Sequence, residues 1–360
     1  MVRLTWLQFR LQSAVAVAAL AIVAIALAVT GPHLAHLYHT TVANCAAQND
    51  CDSATNVFML NDPFLQNMLG PLILLVPAVI GIFWGAPLVA REIETGTYRL
   101  AWTQGVSRRR WLLVKLGIMG LASMVVAGLF SLMITWWSIP FDKINQDRFT
   151  PVTFSLRGIA PIGYAAFAFA LGVTIGLLVH RILPAMALTL VIFIAIRVVV
   201  MLWVRPYFVA PLHTTQPDTQ ILPPSQGTSK SIQVGTNAAL PGDWVIADQT
   251  LNAAGQVIGR NGFVGSDGRL GVGPNGVVIG DLSCPNLKPQ GTPSATGNGP
   301  SPDAQALVKQ CVTQLGLKEE LTYQPASRYW TFQWYEMGLY LALSAALSGF
   351  SFWWVRSRLV

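Results

Sequence analysis

Six apolar stretches set the strongest limit on what this chain can fold into. Each is long enough to cross about 30 Å of hydrocarbon as a helix. Only 11% of the 360 residues are charged, well below the roughly 25% that is usual in soluble chains. We therefore predict an α-helical polytopic membrane protein with six transmembrane helices, at residues 11–31, 67–90, 112–138, 158–179, 183–204 and 333–355.

The distribution of charge predicts the orientation of these helices. With the N-terminus in the cytoplasm, the inner segments carry eleven basic side chains and two acidic ones, Glu92 and Glu94. All eleven aspartates then lie in the outer segments, as the positive-inside rule requires. We expect both termini to be cytoplasmic. The net charge of +7 then reflects membrane topology, and no nucleic-acid partner is expected.

The four cysteines all fall in the segments that this topology places outside. Cys45 and Cys51 lie in the first outer loop, and Cys284 and Cys311 lie in a later one. Cysteines on the oxidising side of a membrane commonly form disulfides. Proximity in sequence favours the pairs Cys45–Cys51 and Cys284–Cys311 among the three possible connectivities. The alternative is that one or both pairs are free thiols.

A long segment at 205–330 differs from the rest of the chain. It holds 13 of the 22 prolines and 16 of the 31 glycines, and no run in it is able to span a membrane. We predict a small β-rich or mixed extracytoplasmic domain there, between helices one to five in 1–204 and helix six with its cytoplasmic tail in 331–360.

Turn signals predict the content of this domain. Asn-Gly and Asp-Gly dipeptides, flanked by apolar residues, recur at 261–262, 267–268 and 275–276, which favours a small β-meander. Residues 304–315 have the composition of a helix, and Ser301-Pro302-Asp303 before them is a typical helix start. The predicted disulfide would tie this helix to the meander.

The inner loop at about 91–110, between the second and third helices, has the most specific pattern in the chain. Glycines bracket a short segment in which Leu100 and Trp102 are apolar while Arg99 and Gln104 are polar. This composition is typical of a short helix lying against another protein. The alternative is a basic loop whose role is only to set the topology.

Three arginines, 108–110, follow Ser107, which is a good helix cap. Cations oppose the dipole at a helix N-terminus. Helix stability alone therefore does not account for the three arginines. Binding to inner-leaflet phosphates or to an acidic partner would account for them.

The same loop resembles the E-x-E-x-G-T…S-R…K signature of ABC transporter permeases of the type-2, exporter class. The matching residues are Glu92, Glu94, Gly96, Thr97, Ser107, Arg108 and Lys115. Residues 325–336 are similar to the entry to the last span in actinobacterial permeases of this kind. The resemblance implies a bacterial plasma-membrane permease subunit that pairs with a second permease copy or a related chain.

The resemblance also implies that the loop docks onto a separate cytosolic ATPase. The candidate docking residues are Glu92, Glu94, Gly96, Thr97, Arg99, Leu100, Trp102 and Arg108. The sequence contains no G-x-x-x-x-G-K-[ST] motif, so ATP and Mg²⁺ are expected on the partner. This chain is then a transporter subunit without a cofactor or an enzymatic activity of its own.

Arg197 is the one clear charge inside a predicted span, and such residues usually face a bundle interior or a partner. Glu336, in helix six, is the candidate partner. The alternative is that Arg197 snorkels to the outer interface. Because the spans carry few charges and membrane lipids surround them, an amphipathic or hydrophobic substrate is expected, such as a drug, antibiotic, peptide or lipid.

Two other interpretations stay open. His33, His36 and His39, with acidic residues nearby, are weak candidates for a metal site, although three positions spaced by three spread over about 120° of a helix. The alternative function is that of a membrane-anchored extracytoplasmic sensor or scaffold protein, with 205–330 as its binding domain. An anchor of that kind would not need a glycine-bracketed docking segment.

Overall fold

The computed structural model divides the chain into two compact units. The helical unit comprises Met1–Phe208 and Arg328–Val360, and the sheet unit comprises Val209–Ser327. The residues described are 2–43, 58, 74–96, 107–144, 148–217, 220–222, 233–235, 242–260, 263–264, 270–273, 276–279, 282–287 and 302–357.

Six helices of the described part are long and apolar enough to cross a membrane, as predicted. We call them spans one to six: Ala14–Val42, Val76–Glu94, Arg110–Trp137, Ala160–Val179, Ile182–Tyr207 and Ala326–Ser357. Their α-helical parts are Val2–Leu37, Val76–Ile80 with Ala86–Glu94, Arg108–Trp137, Ala160–Val179, Ile182–Val199 and Tyr329–Ser357. Short helices Ile139–Ile144 and Pro151–Leu156 follow span three.

Three spans contain a five-residue π-helical stretch, and span one is longer than its sequence suggests. The stretches are Tyr38–Val42, Gly81–Gly85 and Val200–Val204. The predicted end of span one at residue 31 is wrong, because the helix continues through Pro32. A proline removes one backbone hydrogen bond, and membrane helices tolerate this loss when neighbouring groups compensate.

Span four is the most buried of the six. Its glycines allow the main chains of spans two and four to come into contact. A Cβ atom added to Gly172 would lie 2.4 Å from the carbonyl oxygen of Gly81. A Cβ at Gly176 would lie 2.6 Å from the carbonyl oxygen of Ala86. Membrane helices associate through such small-residue contacts because lipid provides no hydrophobic drive for their association.

The described residues of the sheet unit form three antiparallel sheets. Its strands are β1 (Leu212–Pro217), β2 (Gln220–Leu222), β3 (Gln233–Gly235), β4 (Trp244–Leu251), β5 (Val257–Arg260), β6 (Phe263–Val264), β7 (Leu270–Gly273), β8 (Gly276–Ile279), β9 (Leu282–Cys284) and β10 (Lys318–Gln324). The largest sheet has the order β1-β10-β4-β5-β6, the second pairs β2 with β3, and the third has the order β7-β8-β9.

Two of the three predicted hairpins join paired strands, the one at 267–268 does not, and the predicted β-meander is wrong as a single sheet. Strands β5 and β6 pair across residues 261–262, and β7 and β8 pair across 274–275, but the two hairpins belong to different sheets. The prediction also missed β10. Its buried positions include Glu319 and Gln324, so the strand lacks the apolar alternation that reveals a half-buried strand in sequence.

A helix at Pro302–Leu315 packs on the three-stranded sheet and confirms the predicted helix at 304–315. Cys284 on β9 and Cys311 on this helix form the predicted disulfide, which is confirmed. Both cysteines are buried among the apolar residues Val277, Ile279, Val308, Val312 and Leu317. The other predicted pair, Cys45 and Cys51, lies outside the described residues.

Candidate functional site

Glu92 links the ends of spans two and three that flank the predicted docking loop. Its Oε1 lies 2.5 Å from Nζ of Lys115 on span three, and its Oε2 accepts a hydrogen bond of 3.2 Å from Nε1 of Trp111. The Lys115 side chain is only 5% exposed, and its ammonium lies 4.6 Å from the centroid of the Trp111 ring. A buried ammonium depends on its carboxylate partner, so this ion pair holds the two helix ends together.

Glu94 connects the same end of span two to span five. Its Oε2 accepts a hydrogen bond of 3.1 Å from the backbone N–H of Ile182, the first residue of that helix. The first four N–H groups of a helix have no partner within the helix, and a carboxylate there satisfies one of them and favours the helix dipole. The two glutamates of the signature therefore bind two different neighbours of span two.

The backbone explains two further signature residues. Gly96 has φ +72°, a left-handed conformation that glycine adopts easily, and its N–H donates to the carbonyl oxygen of Ile93. On the other side of the loop, Oγ of Ser107 accepts from the N–H of Arg110, 3.3 Å away, and caps the helix that begins at Arg108. The loop therefore leaves span two at a glycine stop and enters span three at a serine cap.

The middle of the predicted docking loop, 97–106, lies outside the described residues. Thr97, Arg99, Leu100 and Trp102 belong to it. Their predicted role stays a prediction. The structure therefore describes the two ends of the loop, at Gly96 and at Ser107.

A second polar site lies among spans four, five and six. Glu336 is fully buried, and its Oε1 lies 3.3 Å from Nη1 of Arg197, so the structure brings together the two residues that the sequence singled out. The same carboxylate accepts a hydrogen bond of 2.6 Å from the hydroxyl of Tyr164. The guanidinium carbon of Arg197 lies 3.6 Å from the centroid of the Tyr164 ring.

Arg205 is the stronger partner of Glu336, and the sequence reasoning did not identify it. Its Nε lies 2.7 Å from Glu336 Oε2 and its Nη2 lies 2.9 Å from Oε1, which is a bidentate pair. Its side chain is 1% exposed. In sequence, Arg205 stands at the end of an apolar run, directly before a proline, where an arginine usually marks the membrane boundary.

Gln333 was also missed, although the sequence held a signal for it. Its Oε1 accepts hydrogen bonds from the N–H groups of Ile159 and Ala160 at the start of span four, and its Nε2 donates to the carbonyl oxygen of Phe154. Gln333 and Glu336 are spaced by three in an apolar helix, so they share a face. That spacing is typical of a buried polar stripe on a membrane helix.

The three histidines proposed as weak metal ligands are exposed along span one. His33 and His36 lie on its α-helix and His39 lies in its π-helical stretch. In the part of the chain that the structure describes, no group of three histidine, cysteine or acidic side chains is close enough to hold a metal ion.

One family model matches this chain. It is described as ABC-2 membrane transporter related, and it covers residues 17–205, slightly more than half of the 360 residues. The matched segment begins in span one and ends at Arg205, and it therefore includes the whole 91–110 loop. No curated protein and no solved structure matches the chain.

Proposed function

This chain belongs to the ABC-2 membrane transporter related family, and from that premise we propose that it is the permease subunit of an ATP-binding-cassette exporter. The family and the six apolar helices directly support a multi-pass membrane subunit of a transporter. Our proposal adds a separate cytosolic ATPase, a second permease chain, a bacterial plasma membrane and export as the direction of transport.

The observation that carries the proposal is the way in which the 91–110 loop is attached. Its first residues belong to a helix end that is bonded to span three through Glu92 and to span five through Glu94. A displacement of the loop would therefore act on three spans at once. Such a linkage suits a subunit that receives its energy mechanically from a partner, whereas a simple anchor does not need it.

In this proposal the partner ATPase binds ATP and Mg²⁺ and moves the loop when it closes. Leu100 and Trp102 would supply the apolar part of the contact, and Arg99 the polar part. Rocking of the spans against one another would then open the pathway to one side of the membrane and close it to the other. The sheet unit would lie outside the cytoplasm, where its Cys284–Cys311 disulfide is stable.

The experiment is an affinity purification of the tagged full chain from its native membrane in mild detergent, followed by mass spectrometry and an ATPase assay. We expect a stoichiometric P-loop protein. In the Arg99→Ala/Trp102→Ala variant we expect the permease to insert normally, but to lose this partner or its transport-coupled ATPase activity.

A matched control replaces Arg356, an exposed residue near the end of span six that the proposed topology places on the cytoplasmic side, with alanine. This variant should retain the ATPase. Recovery of envelope proteins through the sheet unit, with no ATPase in any preparation, would contradict the permease proposal and favour the sensor or scaffold function.

A further inference from the structure

The charges that meet at Glu336 do not balance. Two guanidinium groups, those of Arg197 and Arg205, form ion pairs with this single carboxylate in the described part of the chain. The cluster therefore has a net positive charge within apolar helices. An excess charge in a low-dielectric environment is costly, and buried charges are normally paired.

Arg205 and Arg197 are not equivalent in this cluster. Arg205 makes two short hydrogen bonds to the carboxylate and is fully buried, so Glu336 neutralises it. Arg197 makes one hydrogen bond of 3.3 Å to an oxygen that already accepts from Arg205 and from Tyr164. The excess positive charge therefore resides mainly on Arg197.

The aromatic rings around Arg197 compensate only part of this charge. The face of Tyr164 lies at 3.6 Å and that of Tyr340 at 5.8 Å from its guanidinium carbon, and ring faces attract cations without carrying a full negative charge. The buried Tyr340 hydroxyl lies next to the same guanidinium. It contributes a dipole and no full negative charge, so the charge of Arg197 stays only partly compensated.

Arg197 is also the accessible member of the cluster. Its side chain is 14% exposed, whereas that of Glu336 is 0% exposed. Ile194, which precedes it by three residues and so shares its helix face, is 46% exposed. Val198 beside it is 41% exposed. Arg197 therefore borders an exposed apolar surface of span five.

We propose that Arg197 is an anion-binding site that takes the single anionic headgroup, a phosphate or carboxylate, of an amphiphile whose apolar body lies along span five. The headgroup neutralises the excess charge of the cluster, and the apolar body covers the exposed aliphatic side chains. Arg197 lies about 15 Å along the helix from Tyr207, which places the site within the hydrocarbon layer and favours an amphiphile over a water-soluble anion.

Two sources can supply such a ligand, namely a resident membrane lipid and the exported compound. If it is the exported compound, the substrate class is an anionic amphiphile, and this assignment rests on the proposed function. The binding site itself does not depend on the ATPase, so it can be tested on the permease alone.

The test uses the full chain in nanodiscs of phosphatidylcholine, titrated with radiolabelled dodecyl phosphate or with dodecylphosphocholine, which has the same apolar chain and no net charge. We expect the wild-type chain to bind dodecyl phosphate at least tenfold more tightly. Arg197→Gln should abolish this preference, and Arg197→Lys should retain it. The matched control is Arg181→Gln, which removes the same charge from an exposed position at the other end of span five.

A wild-type preference that survives in Arg197→Gln overturns the proposal. If Arg197→Gln does not fold, Arg197→Met replaces it, because its apolar side chain leaves Glu336 paired with Arg205. The preference for dodecyl phosphate should again be lost, and a preference that persists overturns the proposal. Reconstitution with the ATPase then separates the two sources. ATP-dependent movement of dodecyl phosphate supports the cargo assignment, and binding without movement supports a lipid site and overturns that assignment. If no ATPase purifies with the wild-type chain, the proposed function is refuted and the binding result is unchanged.

Discussion

The main-chain contact between spans two and four predicts that one added methyl group at Gly172 is strongly destabilising. In Gly172→Ala, the new Cβ atom would lie 2.4 Å from the carbonyl oxygen of Gly81 and 2.7 Å from the amide nitrogen of Ala86. Both are backbone atoms of span two, so no side-chain rotation can relieve the overlap. The two helices must separate, and their packing is lost along the contact.

The expected size of the effect follows from this geometry. Overpacking in a well-packed interior costs about 1–3 kcal/mol, and the upper end applies where the obstacle is main chain. About 3 kcal/mol corresponds to a change of more than a hundredfold in the unfolding equilibrium. Gly117→Ala in span three is the matched control, because no packing neighbour in the described part of the chain lies within 4 Å of its added Cβ. Alanine there should be neutral, or stabilising by about 0.5–1 kcal/mol.

The assay heats the purified full chain in mild detergent and measures the fraction that remains monodisperse by size-exclusion chromatography. Because unfolding of such proteins is often irreversible, variants are compared by their half-lives at one temperature. Gly172→Ala should be lost much faster than the wild type, and Gly117→Ala should not. Equal half-lives for the two variants would show that spans two and four do not approach at Gly172 as described.

Two further predictions concern the 91–110 loop and the sheet unit. Glu92→Gln leaves the buried Lys115 ammonium without its carboxylate and should destabilise the protein by about 3 kcal/mol. The double variant Glu92→Gln/Lys115→Met should recover most of this loss, and additive losses in the same heating assay would refute the pairing. The Cys284–Cys311 disulfide closes a loop with a sequence separation of 27, so Cys311→Ser should destabilise the sheet unit by about 3.5 kcal/mol. The measurement is limited proteolysis of the full chain, in which cleavage should accelerate between residues 209 and 327, and unchanged protection would contradict the estimate.

The sequence alone determined the membrane architecture, because a helix that crosses a bilayer must bury a long apolar run whatever its neighbours are. The six spans, the separate Pro- and Gly-rich unit and its Cys284–Cys311 disulfide follow from local composition and spacing. So do the two helix ends that flank the 91–110 loop, because a glycine that ends one helix and a serine that caps the next act on their own backbone. The pairing of Arg197 with Glu336 was also within reach, since few ionisable residues lie in these spans.

The tertiary structure decided which charges meet and how closely the helices pack. Arg205 has the sequence context of a boundary residue, and only the approach of spans five and six makes it the bidentate partner of Glu336. The assignment of Glu92 to Lys115 and of Glu94 to Ile182 depends in the same way on which helix ends are neighbours. Strand β10 escaped prediction because its buried positions are partly polar. Whether a charge or a polar group is buried depends on its surroundings in three dimensions, and these surroundings cannot be predicted from local sequence patterns.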